Sequence, residues 1–194
     1  ELRLLDGQHR LQACMESGVN LVSLVAIGVP QSAMPTIDSG RSKGAADVLY
    51  MSQTPHAAQL ASTARWLWRY QNQRMRHSVV LLRNDALPGF IAAHPGLSSS
   101  LEWGKSLKGL LPQSPAAMLF FLMAQKDAAL ARRVFHGLAT GLDVTSSDFV
   151  YQLREKILKE PAPRAHLAVV SRCAAVVLMW SCLRKGVPWA PSKG

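Results

Sequence analysis

Apolar positions change their rhythm along this chain, and the rhythm divides it. Leu2-Arg3-Leu4-Leu5 reads as a short strand closed by Asp6-Gly7. Leu11, Cys14 and Met15 then recur at helical spacing, with Gly18 where a C-terminal cap belongs. Leu21 to Ile27 is an unbroken apolar run, which predicts a second strand buried on both faces and closed by Gly28 to Pro30. Strand, glycine turn, helix and strand make one β-α-β unit with a short crossover.

From Ser42 onward the pattern predicts almost only helices. One covers Gly44 to Met51, and the next runs from Pro55, in the first turn after Thr54, to about Arg76. Ser78 to Arg83 is ambiguous, and Leu87 to Pro95 reads as a loop with a short turn. Ser114-Pro115 opens a helix through Phe120, Phe121, Leu130 and Phe135 to about Leu138, with Gly141 following. Ser147 or a neighbour caps a helix carrying Phe149, Leu153, Ile157 and Leu158, which Pro161 and Pro163 stop. Arg164 to Lys185 is the last helix, ahead of Gly186 and a proline-rich tail. The expected fold class is therefore α+β, with a partial β-α-β core over residues 1–50 and a mostly α-helical domain over 51–194.

Composition supports a packed chain, since 48% of the 194 residues are apolar and 18% charged. The formal net charge of +10 is uneven. Residues 1–40 hold Arg3 and Arg10 against Glu1, Asp6, Glu16 and Asp38, or 2 − 4 = −2, leaving +12 for the rest. A basic helical region suggests a polyanion, most simply DNA; the alternative is charge that only keeps the protein dispersed. The three cysteines Cys14, Cys173 and Cys182 match neither a zinc site nor a disulfide framework. Reduced, buried thiols in the cytoplasm are the economical reading. Cys173 to Leu183, the most apolar run, is about half the ~20 residues of a bilayer span, so a core helix is expected and no membrane partner.

The turn at Asp6-Gly7-Gln8-His9-Arg10 carries the candidate chemistry. Gly7 lets the chain turn sharply and leaves room for a ligand at the backbone. The helix that follows offers unpaired N–H groups and the positive end of its dipole to an anion. His9 and Arg10 add side-chain donors, and Arg10 can hold a phosphate bidentately. Asp6 can cap the helix or pin one of those cations. A plain strand-to-helix turn with Arg10 paired to Asp6 is the competing reading.

Asp6-Gly7-Gln8-His9-Arg10-Leu11 resembles the DGQHR signature of a branch of the ParB/sulfiredoxin-like superfamily, found in regulators of DNA phosphorothioation and in proteins of phages and mobile elements. In sulfiredoxins the corresponding turn, Gly-Cys-His-Arg, holds ATP phosphates; in ParB proteins a Gly-Glu-Arg-Arg turn contributes to the CTP phosphate site. The resemblance implies that Gly7, His9 and Arg10 contact phosphate. Gln8 stands at the sulfiredoxin cysteine position, which excludes peroxiredoxin repair. Thr36 to Gly44 is similar to the I-N/D-T-x-x-K stretch of the same branch, with Ser39, Gly40, Arg41 and Lys43 as a cationic clamp or lid, or else a solvated loop. The likeness covers residues 2–50 well and the later helices loosely. The family's module has strands and a ligand motif before this turn, so the chain reads as an N-terminally truncated member.

Between Pro55 and Arg76, a helical projection puts Leu60, Ala64, Leu67, Trp68 and Met75 on one side. Arg65, Arg69, Asn72 and Arg76 line up opposite, flanked by Trp66 and Tyr70. Such a stripe could follow a phosphate backbone with an aromatic stacking on a base, or it could be the solvated face of an ordinary surface helix.

No Ser/His/Asp or Cys/His set occurs at recognisable spacing. His56, His77, His94, His136 and His166 are scattered without ligand partners, so no metal site is predicted. Trp103, Phe120, Phe121, Trp180 and Trp189 belong to the core by their apolar neighbours. The function expected is a ParB-like protein binding DNA or a nucleotide (CTP or ATP), with phosphate at Asp6–Arg10; a homo-oligomer is possible, and the sequence does not identify the oligomeric state. Two alternatives stand beside it. One is a nucleoside triphosphatase or nuclease, with Mg required only if hydrolytic; the other is a helical interaction module with a relic turn.

Overall fold

The computed structural model describes residues 4–36, 49, 54–77, 82–163 and 165–189. The chain divides into two units, Glu1–Gly44 and Ala45–Gly194. The boundary drawn from the sequence was residue 50.

The described residues are helical and contain no strand, which corrects the α+β expectation. In the first unit, α1 spans Gln8–Ser17, and Gly18 ends it in the left-handed region at φ 67, donating its N–H to the Cys14 carbonyl. A 3-10 turn follows at Gln31–Thr36. Leu4-Leu5 and Leu21 to Ile27 lie in irregular backbone, so no β-α-β unit forms among the described residues. The reason is the partner requirement of a strand. Its N–H and C=O groups point sideways and need a neighbour to satisfy them, and an isolated pair is marginal in water. The run predicted to be buried on both faces is instead open: Val22 is 100% exposed and Leu24 97%. Leu2 and Arg3 of the first expected strand lie outside the described residues.

The second unit is a helical assembly: α2 Ala57–Gln71, α3 Leu87–Ala92, α4 Ser100–Ser106, α5 Gln113–Ala124, α6 Ala128–Thr140, α7 Phe149–Lys159 and α8 His166–Lys185. The expected helix at Gly44–Met51 falls outside the described residues, Leu49 excepted. At its centre is α5, which packs against α2, α4, α6 and α8. Its sequence explains that position: Ala-Ala-Met-Leu-Phe-Phe-Leu-Met-Ala is apolar on every side, and such a helix is stable only when surrounded. Phe120 stacks on Trp103 at 4.7 Å between centroids and meets Phe135 edge-on at 5.1 Å. Phe120, Phe121, Trp180 and Trp189 are buried, as their neighbours in sequence predicted.

Gly104 is what lets α4 approach α5 so closely. A Cβ built there would lie 2.7 Å from the Ala117 Cβ and 2.8 Å from its backbone nitrogen. The single helix expected from Ser114 to Leu138 is two. It breaks at Gln125 to Asp127, where the Asp127 carboxylate accepts the Leu130 N–H at 2.9 Å and starts α6 as its N-cap. The loop expected over Leu87–Pro95 contains the short helix α3, with Pro88 in its first turn.

α8 is long and apolar enough to cross a membrane by length and composition, with a mean hydropathy of 1.7 in its most apolar window. It carries Arg172 on its buried side. That guanidinium donates to the carbonyls of Leu110 and Pro161 and lies 3.6 Å from Glu160.

Candidate phosphate-binding turn

The Asp6–Arg10 turn is built by one residue's backbone. Gly7 is the N-cap of α1 at φ 89 and ψ 7, a left-handed conformation that an L side chain adopts only at a cost. A Cβ built on Gly7 meets nothing within 4 Å, so the constraint is conformational and the space beside it is open. The first intrahelical bond runs from the Leu11 N–H to the Gly7 carbonyl at 3.0 Å. No side chain caps the helix start, so the amides of Gln8, His9 and Arg10 face outward from its positive end.

Gln8, His9 and Arg10 are exposed, and α1 buries none of its residues. Asp6 does not act as the cap. Its carboxylate pairs with Arg10 one helical turn on, at 3.7 Å, with both side chains well exposed to solvent. The competing reading of the sequence, Arg10 held by Asp6, is thus present in this state. The pair is long, solvated and weak, within the range of surface pairs worth about 0–1 kcal/mol, so an anion with two or three negative oxygens can compete for Arg10. Ser39, Gly40, Arg41 and Lys43, the expected clamp, lie outside the described residues.

The helix expected to run to about Arg76 ends at Gln71, so Arg76 lies beyond α2, and the arginine stripe divides between interior and surface. Arg69 is only 7% exposed, and its Cζ lies 5.6 Å from the centroid of the Trp66 ring. Burial, and then the charge of Arg65, hold its pKa below the usual guanidinium value. Arg65 donates from Nη2 to the Asn84 side-chain oxygen at 2.7 Å. Trp66 is buried and stacks on His166 of α8 at 4.9 Å. Tyr70 and Arg76 are exposed, as is Arg74, which the projection did not single out. The projection failed here because it knows one helix only. α8 returns to cover part of the face that a lone helix would leave to water.

The histidines serve locally. His166 Nε2 lies 2.8 Å from the Met75 carbonyl, His94 bridges Gln71 and the Phe90 carbonyl, and His136 sits 3.7 Å from Asp143. Among the described residues no three of His, Cys, Asp and Glu stand close enough to hold a metal ion. The described thiols are free, and burial pushes the Cys173 thiol up to about 12.

Comparison of the chain with protein families, with curated proteins and with solved structures gives no match.

Proposed function

We propose that this protein binds a phosphate-bearing partner, a nucleotide or a nucleic acid, at the Asp6–Arg10 turn. The observation that carries the reading is the uncapped start of α1. Gly7 in the left-handed region turns three backbone amides outward with no side chain closing them, and Arg10 stands one turn inside with most of its surface in water. The motif resembles the DGQHR turn of ParB/sulfiredoxin-like proteins; the excess positive charge lies on the residues after 40 and supports a polyanion partner for the chain rather than the turn itself. The proposal stops at binding. Hydrolysis would need a carboxylate to hold a metal, and the described part of the turn offers only Asp6, which already faces Arg10. The test is amide NMR with CTP, ATP and inorganic phosphate in turn. Saturating shifts at Gln8, His9 and Arg10 support the site; shifts absent there sink it.

A second reading, a protein-interaction module, has one observation in its favour. Val19 to Thr36 contains no charged residue, and Val19, Leu21, Val22, Leu24, Val25 and Ile27 are all exposed. Its first part, residues 19–29, has none of the lysines or prolines that protect exposed strand edges. If it serves assembly, Val22→Lys with Leu24→Lys raises the monomer fraction in sedimentation; an unchanged distribution removes the reading.

A further inference from the structure

A groove of about 360 Å³ opens between the α4–α5 connection and the proline segment after α7. Its base is Leu110 and Leu111, both buried, with Pro112 beside them, and its far wall is Ala162 and Pro163. Lys105, in the last turn of α4, and Lys108, in the connection after it, also line the groove. Neither lysine has an ion-pair partner among the described residues, so two positive charges overlook a mainly apolar surface.

The two walls are tied to each other from inside. Arg172, buried on α8, donates Nη1 to the Leu110 carbonyl at 3.0 Å and Nη2 to the Pro161 carbonyl, with Glu160 at 3.6 Å to balance its charge. A single guanidinium thus fixes the base and the far wall, and a groove held this way is preformed rather than opened by its ligand. Gly109, at φ 98 with nothing within 4 Å of a built Cβ, keeps the rim between Lys108 and Leu110 low. Close approach of α4 to α5 at Gly104 sets the remaining side.

We propose that this groove binds a small amphiphilic anion: a short aliphatic chain lying on Leu110, Leu111 and Pro163, its carboxylate facing Lys105 and Lys108. The volume lies at the lower end of the range for small-molecule sites, which sets the ligand's size. Apolar contact supplies affinity, and the unpaired lysines select the sign of the head group. The site is independent of the Asp6–Arg10 turn, which belongs to the other unit.

Octanoate is the probe, with octylammonium as its counterpart of opposite charge and amide NMR as the readout. Saturating shifts at Gly104, Gly109 and Gln113 are expected with octanoate and not with octylammonium. Lys105→Gln with Lys108→Gln should weaken octanoate at least threefold, a loss in keeping with solvent-exposed charges. Ala162→Trp, at an exposed position, should fill the groove and abolish the shifts while the rest of the spectrum stays native. Three results overturn the proposal: no saturable shift at these amides, equal response to both probes, or unchanged affinity in the double lysine variant. Shifts confined to residues 19–29 overturn it as well.

Discussion

His166 stacks on Trp66 with 4.9 Å between ring centroids and an angle of 27° between the planes, and this contact turns the arginine face of α2 partly inward. The ring nitrogen of the same histidine reaches the Met75 carbonyl just beyond the end of α2. An indole that sequence alone offered as a base-stacking platform is therefore a structural joint between α2 and α8. Trp66→Ala should cost about 3–5 kcal/mol, the range for deleting a large buried aromatic, measured as a shift of the urea midpoint at constant slope. A loss under 1 kcal/mol would show that the stack is peripheral.

Burial also separates the arginines. If DNA is the partner, Arg74→Gln and Arg76→Gln should each lower the salt slope of DNA binding by about one, because both side chains stand in solvent. Arg69→Gln should leave the slope unchanged, since its guanidinium lies inside against Trp66. Equal slopes for all three variants would contradict the assignment.

Close packing of α4 on α5 makes Gly104 intolerant of any side chain. Gly104→Ala should destabilise by about 1–3 kcal/mol through overpacking, because the Ala117 backbone cannot yield as a flexible side chain would. Gly109→Ala should cost about 1–2 kcal/mol for a different reason, its left-handed φ of 98. Chemical denaturation of both variants checks the pair. Gly104→Ala alone should also perturb the amides of α5.

Two pH effects follow from opposite shifts. Hydrogen bonds from the Thr145 backbone and hydroxyl hold the Asp148 carboxyl below its ordinary value of 3.8. Its stabilising contribution is thus present above that value and disappears as the pH falls through the lower, folded one. Asp148→Asn should lower stability at pH 7, where the contribution is present, and approach wild type in acid, so its stability is flatter against pH in that window. The Cys173 thiol is raised from 9.0 to about 12, so its burial favours folding below pH 9 and loses that advantage as the pH climbs toward 12. At pH 8 a disulfide reagent should react with Cys173 only after denaturation; prompt reaction in the folded protein would contradict its burial.

Much of the helical unit was legible because its signals are local. Gly141 and Gly186 end α6 and α8 in the left-handed conformation where the sequence put the caps, and the prolines after Lys159 stop α7. The break between α5 and α6 was also written in the chain, as an Asp127 that caps from its side chain, but continuous apolar spacing masked it. What could not be read was tertiary. The apolar run from Leu21 to Ile27 has the composition of a buried strand, yet composition supplies no partner, and its side chains stand in water. The Trp66 ring over which Arg69 lies is packed against His166 of α8, almost a hundred residues later. At the candidate site, Gly7 and the helix start were legible from five residues, since both the turn and the amide donors are properties of adjacent backbone.

Calorimetric titration of CTP and then ATP into wild type, Arg10→Ala and Asp6→Asn tests a phosphate site at that helix start most directly. Wild type should bind, Arg10→Ala should bind at least tenfold more weakly with an unchanged melting curve, and Asp6→Asn should bind about two- to fivefold more tightly once the exposed competing carboxylate is gone. Heats that vanish in all three proteins, or one affinity shared by all three, would contradict the account.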